Sequence, residues 1–169
     1  MAMRRLLALL TLTVLTGACA SGAVPRPFPQ PGPPSPDVVE APDSPDPQRP
    51  AAVVSTALSL RGAPYRNGGG DPSGFDCSGF VSYVFAQQGL FVPRTVAELF
   101  DSGARVDLRA IAPGDLVFFS TVQPGPSHVG IAVSSDEFVH APSSAGVVRV
   151  ESLAAPYWSS RVVGVRRLQ

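Results

Sequence analysis

The chain has 169 residues, 44% of them hydrophobic, which suffices for one packed core and one active site rather than several. Thirteen basic residues balance thirteen acidic ones. The composition therefore excludes the electrostatic footprint of a nucleic-acid binder or of a protein held to an anionic surface by charge.

In chain order, the first segment reads as an export signal. Arg4 and Arg5 give a positive start, residues 6–15 an apolar run, and Thr16-Gly17-Ala18 a small-residue cleavage site, so residues 1–18 are expected to be removed. The apolar run is shorter than the ~20 residues a membrane-spanning helix needs. Leu15-Thr16-Gly17-Ala18-Cys19 resembles the lipobox of bacterial lipoproteins, in which the Cys is lipid-modified and becomes the new N-terminus. It departs from the usual pattern in having Thr16 three places before the Cys, with Leu15 one further back. Lipidation at Cys19 would tether the protein to a membrane of the cell envelope, the outer membrane facing the periplasm in a Gram-negative cell. Ordinary cleavage and release is the alternative.

Residues 19–50 follow as a linker, with eleven prolines at positions 25, 27, 29, 31, 33, 34, 36, 42, 45, 47 and 50 and almost nothing to bury. Polyproline II advances ~3.1 Å per residue, so the segment can reach on the order of 90 Å from an anchor. That suits an enzyme working on a distant polymer; a spacer serving solubility alone fits equally.

The globular part is residues 51–169. A short helix is expected over residues 51–60, after Pro50 and before Gly62. Phe80, Val81, Val84 and Phe85 form a helical stripe over residues 77–88, with Asp76 or Ser78 as cap and Gly89 as stop, and a third helix spans residues 95–102. The period then changes to that of strands, expected at residues 115–120, 129–134, 137–140, 147–150 and 161–167. Helices followed by a meander of strands predict an α+β domain, with helices on one face of an antiparallel sheet.

The chemistry centres on Cys77. Pairing with Cys19 would be its structural use, but Cys19 precedes the linker and is claimed by the lipobox. A helix N-terminus is expected to favour the thiolate and to offer N–H groups to an oxyanion. The two histidines, His128 and His140, fall at the ends of adjacent antiparallel strands joined by Ser134-Ser135-Asp136, on one edge of the sheet. One can act as base while the other fixes its tautomer. A zinc site on the same three residues is the rival reading, although close-spaced ligand pairs are lacking.

Six segments, in order, resemble the NlpC-type cell-wall cysteine peptidases over roughly residues 51–168. They are Gly62-Ala63-Pro64-Tyr65 with Gly68-Gly69-Gly70, Phe75-Asp76-Cys77-Ser78-Gly79-Phe80-Val81, Val92-Pro93-Arg94-Thr95, Pro113-Gly114-Asp115-Leu116-Val117-Phe118-Phe119, Ser127-His128-Val129-Gly130-Ile131 and Phe138-Val139-His140-Ala141. The tail Ala154-Ala155-Pro156-Tyr157-Trp158 is similar to the Spr-like murein endopeptidase branch, although Trp158 could equally be core.

The resemblance implies a papain-like α+β fold, no cofactor, and a monomer acting on peptidoglycan stem peptides. It makes Cys77 the nucleophile, His128 the general base and His140 the orienting residue. Tyr65 would shape the pocket or support the oxyanion, and Asp76, Ser78 and Arg94 would bind the stem peptide. For Asp76 and Ser78 a helix-capping role stands beside this, and for Arg94 a structural ion pair. Leu99 departs from the family, where a Gln is expected, and would alter one cleft wall. The bond cut would be D-Ala–diaminopimelate, favoured by the tail, or D-glutamyl–diaminopimelate. A catalytically silent wall-binding adaptor and an amidase or acyltransferase on other substrates are the competing functions.

Overall fold

The computed structural model describes residues 47–168. The expected leader, Cys19 and most of the proline-rich linker lie outside the described residues. Helix α1 (Arg49–Ser59) begins two residues before the expected position, because Pro50 sits in its first turn, where a missing N–H costs nothing. Val53 and Ala57 form its buried side. A small antiparallel ribbon, β1 (Gly70–Asp71) and β2 (Gly74–Phe75), leads directly into α2 (Cys77–Ala86).

The stripe expected on α2 is the centre of the core, with Phe80, Val81 and Val84 wholly buried. Burying each such side chain is worth about 1.5–3 kcal/mol. The first turn of α2 lies so close to the preceding loop that a Cβ on Gly79 would collide with the Gly69 carbonyl and the Arg94 guanidinium. Helix α3 (Val96–Asp101) carries a complete capping box: the Thr95 hydroxyl accepts the Glu98 N–H at 3.3 Å, and the Glu98 carboxylate accepts the Thr95 N–H at 3.3 Å.

Six strands form one sheet: β3 (Ala104–Val106), β4 (Leu116–Phe119), β5 (His128–Ala132), β6 (Glu137–His140), β7 (Arg149–Ser152) and β8 (Val162–Arg167). Their spatial order is β3-β8-β4-β5-β6-β7, every pair antiparallel. The architecture is the expected α+β arrangement, with two corrections to the meander. First, β8 returns across the sheet to lie between β3 and β4. Second, β7 starts two residues later than expected, because Val147 bridges to Pro64 and the Val148 backbone bonds to Gly62 and Ala63 instead of to β6.

Strand alternation divides the sheet into two faces. Leu116, Phe118, Val129, Ile131 and Val139 meet α1 and α2 on one side. Val117, Phe119, Ala132, Phe138 and Val165 lie on the other, closed by Trp158 of the short helix α4 (Pro156–Ser159). The buried Asp115 carboxylate at the start of β4 is paired with Arg167 of β8 at 2.7 and 2.8 Å and accepts the Ala112 N–H. A buried charge is tolerated only with such partners.

Candidate active site

The site forms where the start of α2 meets the start of β5. Asp76 is the N-cap of α2: its carboxylate accepts the Gly79 N–H at 2.6 Å, which ends the helix ladder at Cys77. The backbone N–H groups of Val129, Ser78 and Cys77 itself lie near enough to the Cys77 sulfur to favour its anion. It is a free, half-buried thiol. The thiolate expected from helix position alone is not the resting state. Burial raises the Cys77 pKa, the adjoining Asp76 carboxylate raises it further, and the three N–H groups only partly offset this.

His128 opens β5 and His140 closes β6, so both stand at one edge of the sheet, and alternation places them on its Trp158 face. His128 Nε2 and His140 Nδ1 are 2.7 Å apart, a hydrogen bond within a buried pair. The register explains the contact. Ile131 faces Val139 and Ala132 faces Phe138, which puts Gly130 across from His140. With no side chain there, the His140 ring leans over Gly130 towards His128. Trp158 stacks on His128 at 5.7 Å between centroids and meets His140 edge-on at 4.9 Å. This apolar wall desolvates both rings: the His128 pKa is pushed down to about 4, and His140 is also lowered, by burial first and then by His128 and Arg149. At neutral pH the resting site therefore holds a neutral thiol and two neutral imidazoles. That differs from a preformed ion pair.

Arg94 ties the entrance together. Its guanidinium donates to both Asp76 oxygens at 2.9 and 2.7 Å, to the Ser78 hydroxyl at 2.9 Å and to the Gly69 carbonyl at 2.9 Å. Burial works to raise the Asp76 carboxyl, but Arg94, the Gly79 N–H and Ser78 outweigh it and hold it below the usual carboxylate range. Asp76, Ser78 and Arg94 thus form one network, with capping and ion pairing performed by the same atoms. The Tyr65 hydroxyl is near enough to feel this charge. Its pKa is raised by burial, then by Cys77 and Asp76.

Leu99 is not on a cleft wall. It is wholly buried in the core cluster with α1 and α2, so its side chain touches packing and not the cleft.

Among the described residues no group of three or more His, Cys, Asp or Glu is arranged to hold a metal ion. Between the two rings the facing nitrogens are spent on each other, which leaves no lone pair there for a metal.

Residues 62–167 match the NlpC/P60 family profile. The chain belongs to the NlpC/P60 family. Over 118 residues it is 42% identical to the gamma-DL-glutamyl hydrolase of Bacillus subtilis strain 168, covering 68% of this chain and 28% of that protein. It is 41% identical over 117 residues to the murein DD-endopeptidase MepS/murein LD-carboxypeptidase of Escherichia coli K12, covering 69% and 61%. The chain thus spans between about a quarter and three fifths of these relatives' lengths. Among solved structures, an NlpC/P60 family protein from Bacillus cereus ATCC 10987 superposes with a TM-score of 0.66 at 29% identity, over 70% of this chain and 39% of that one.

Two residues of this NlpC/P60 domain lie against the histidines without having been singled out for the site. The sequence puts Trp158 in a family-like tail that fits core equally well; the structure makes it the wall behind both rings. Glu151 falls just beyond the strand expected at residues 147–150. With β7 in its true register, Arg149 faces His140 and Glu151 faces Phe138. The side chain of Glu151 therefore shares a sheet face with His140, a placement readable only from strand pairing.

Proposed function

We propose that this protein is a peptidoglycan endopeptidase that hydrolyses an amide bond in stem peptides or cross-links by a Cys-His-His mechanism. The observation that carries the reading is the 2.7 Å His128–His140 bond, made where β5 begins beside the free thiol of Cys77 at the start of α2. Cys77 is the nucleophile. Because thiol and imidazole are both neutral at rest, His128 takes the thiol proton as the sulfur attacks the scissile carbonyl, and delivers it to the leaving amine when the acyl-enzyme forms. Water then hydrolyses the thioester with His128 as base. N–H groups at the start of α2, with Tyr65 beside them, face the developing oxyanion. His140 holds the His128 ring in place.

Asp76 and Arg94, a carboxylate and a guanidinium beside the nucleophile, suit a stem peptide rich in free amino and carboxyl groups. The candidate bonds are D-Ala–diaminopimelate and D-glutamyl–diaminopimelate; the relatives at 42% and 41% identity are named for a gamma-DL-glutamyl bond and for murein DD and LD bonds, so their names do not choose between the two. The protein acts in the cell envelope, exported by residues 1–18 and anchored through a lipid on Cys19, with residues 19–50 as tether. Fatty-acid labelling that persists in a Cys19→Ser variant would refute the anchor.

Digestion of purified sacculi with mass spectrometry of the products tests the activity. Wild-type protein should release muropeptides cut at one stem or cross-link bond, and Cys77→Ala should release none while keeping its fold. Undiminished release by Cys77→Ala would overturn the mechanism.

A further inference from the structure

Within that reading of the site, we propose that Glu151 is a positioning residue for the relay: it keeps the His140 proton on Nε2 and thereby leaves His128 Nδ1 free to act as the base. His140 Nε2 is fully buried and has no hydrogen-bond partner, the one such buried side-chain nitrogen or oxygen among the described residues. It lies 3.7 Å from Glu151 Oε1. That carboxylate is held in place from two sides. Arg149 Nε donates to Oε1 at 3.0 Å, and the Trp158 indole N–H donates to Oε2. The residue that closes the apolar wall over both rings also steers the carboxylate towards the second ring.

The proton positions follow from one constraint. To accept the Cys77 proton at Nδ1, neutral His128 must carry its own proton on Nε2. That proton is donated across the 2.7 Å bond to His140 Nδ1, so the His140 proton must sit on Nε2. An N–H buried there needs an acceptor, and Glu151 supplies the nearest, with a negative charge that opposes the charge built on the imidazole pair once His128 takes the thiol proton. The groups facing His140 are His128 from β5, Arg149 and Glu151 from β7, and Trp158 from α4. Only Glu151 is an anion. The 3.7 Å separation in the resting state is longer than a hydrogen bond, and it shortens when the pair becomes cationic.

Glu151→Gln tests this by reversing the acceptor. The Trp158 N–H, fixed in the buried wall, retains the amide oxygen and the half-exposed Arg149 turns out to solvent, so the amide NH2 takes the place of Oε1, faces His140 Nε2 and donates to it. The His140 proton then moves to Nδ1 and donates to His128 Nε2, and the His128 proton moves to Nδ1, where it blocks the base. Nitrogen-15 spectra of histidine-labelled full-length protein report which ring nitrogens are protonated, without any substrate. Wild type should show both histidines protonated on Nε2, and Glu151→Gln both on Nδ1. On sacculi or defined muropeptides the variant should lose about 100-fold or more in kcat, with KM within about threefold, as expected for a wrong tautomer. Glu151→Asp, which restores the charge on a shorter stem, should recover part of the loss.

Three results would overturn the proposal: wild-type His140 protonated on Nδ1, an unchanged tautomer pattern in a folded Glu151→Gln, or kcat within about threefold of wild type. The wild-type spectrum decides even if the variant fails to fold. Predicted tautomers in a protein inactive on peptidoglycan would sink the functional reading alone. An active wild type with unshifted tautomers in the variant would sink this inference alone.

Discussion

Replacing Gly130 by Ala is the most discriminating single change in the domain, because it adds one carbon where the histidine pair is made. A Cβ there would lie 2.6 Å from Phe138 Cδ2, 3.0 Å from the Val139 carbonyl oxygen and 3.2 Å from His140 Cβ. Ordinary carbon contacts are about 3.5–4.0 Å, so something must withdraw by most of an ångström. The carbonyl belongs to β6 and is fixed by the ladder. Phe138 is wholly buried against Phe119, Trp158 and His140, with centroids at 4.8, 5.1 and 4.7 Å, and has no free direction. The strain is therefore relieved by moving His140 away from His128. Overpacking of this kind costs about 1–3 kcal/mol of stability. Displacing a relay group by ~1 Å costs on the order of 100-fold in rate. Chemical denaturation and kcat/KM on defined muropeptides measure the two effects separately. If the folded variant kept kcat/KM within about threefold of wild type, the claim that Gly130 makes room for the pair would be wrong.

Two further outcomes follow from burial. His128 titrates at about 4 in the folded protein, against ~6.5 in an unfolded chain, so between those values the unfolded chain binds the extra proton. Stability is then full above about pH 6.5 and falls as the pH drops towards 4, by on the order of 3 kcal/mol from this residue, and His140 acts in the same direction. Denaturation curves at several pH values should show the slope, and His128→Gln should flatten it; an equal slope in that variant would refute the assignment. Leu99→Ala should cost about 2–5 kcal/mol, as for other wholly buried leucines, while kcat/KM per folded molecule stays at the wild-type level. A selective change in KM would instead place Leu99 on the cleft.

Much of the fold was legible because it is locally encoded. The α2 stripe, its Asp76 cap and the β5–β6 hairpin depend on residues within a dozen positions of one another, and each lies within a few residues of where periodicity puts it. The elements missed are those with too little chain to carry a period: the two-residue strands β1 and β2, the three-residue β3 and the four-residue α4. The return of β8 between β3 and β4 is a long-range pairing that no local pattern specifies.

The same division holds in the site. Cys77, His128 and His140 could be named because their residue types are rare in this chain and fall at element ends. The charge state of Cys77 could not, because it depends on how deeply α2 packs and on the Asp76 carboxylate that caps it. Arg94 is distant in sequence from Asp76, so the four hydrogen bonds that join it to the cap and to Gly69 appear only in three dimensions.

The place of β8 also sets the order in which the molecule can be finished. Residues 162–167 are the last strand in sequence yet occupy an interior position, so β3 has no ladder partner and β4 has a bare edge until they arrive. Trp158, which closes over both histidines, comes only a few residues earlier. A chain synthesised N-terminus first therefore holds Cys77, His128 and His140 before it has the strand and the indole that bring them into register. The candidate site of a domain built this way is therefore assembled last, only when its final strand is home.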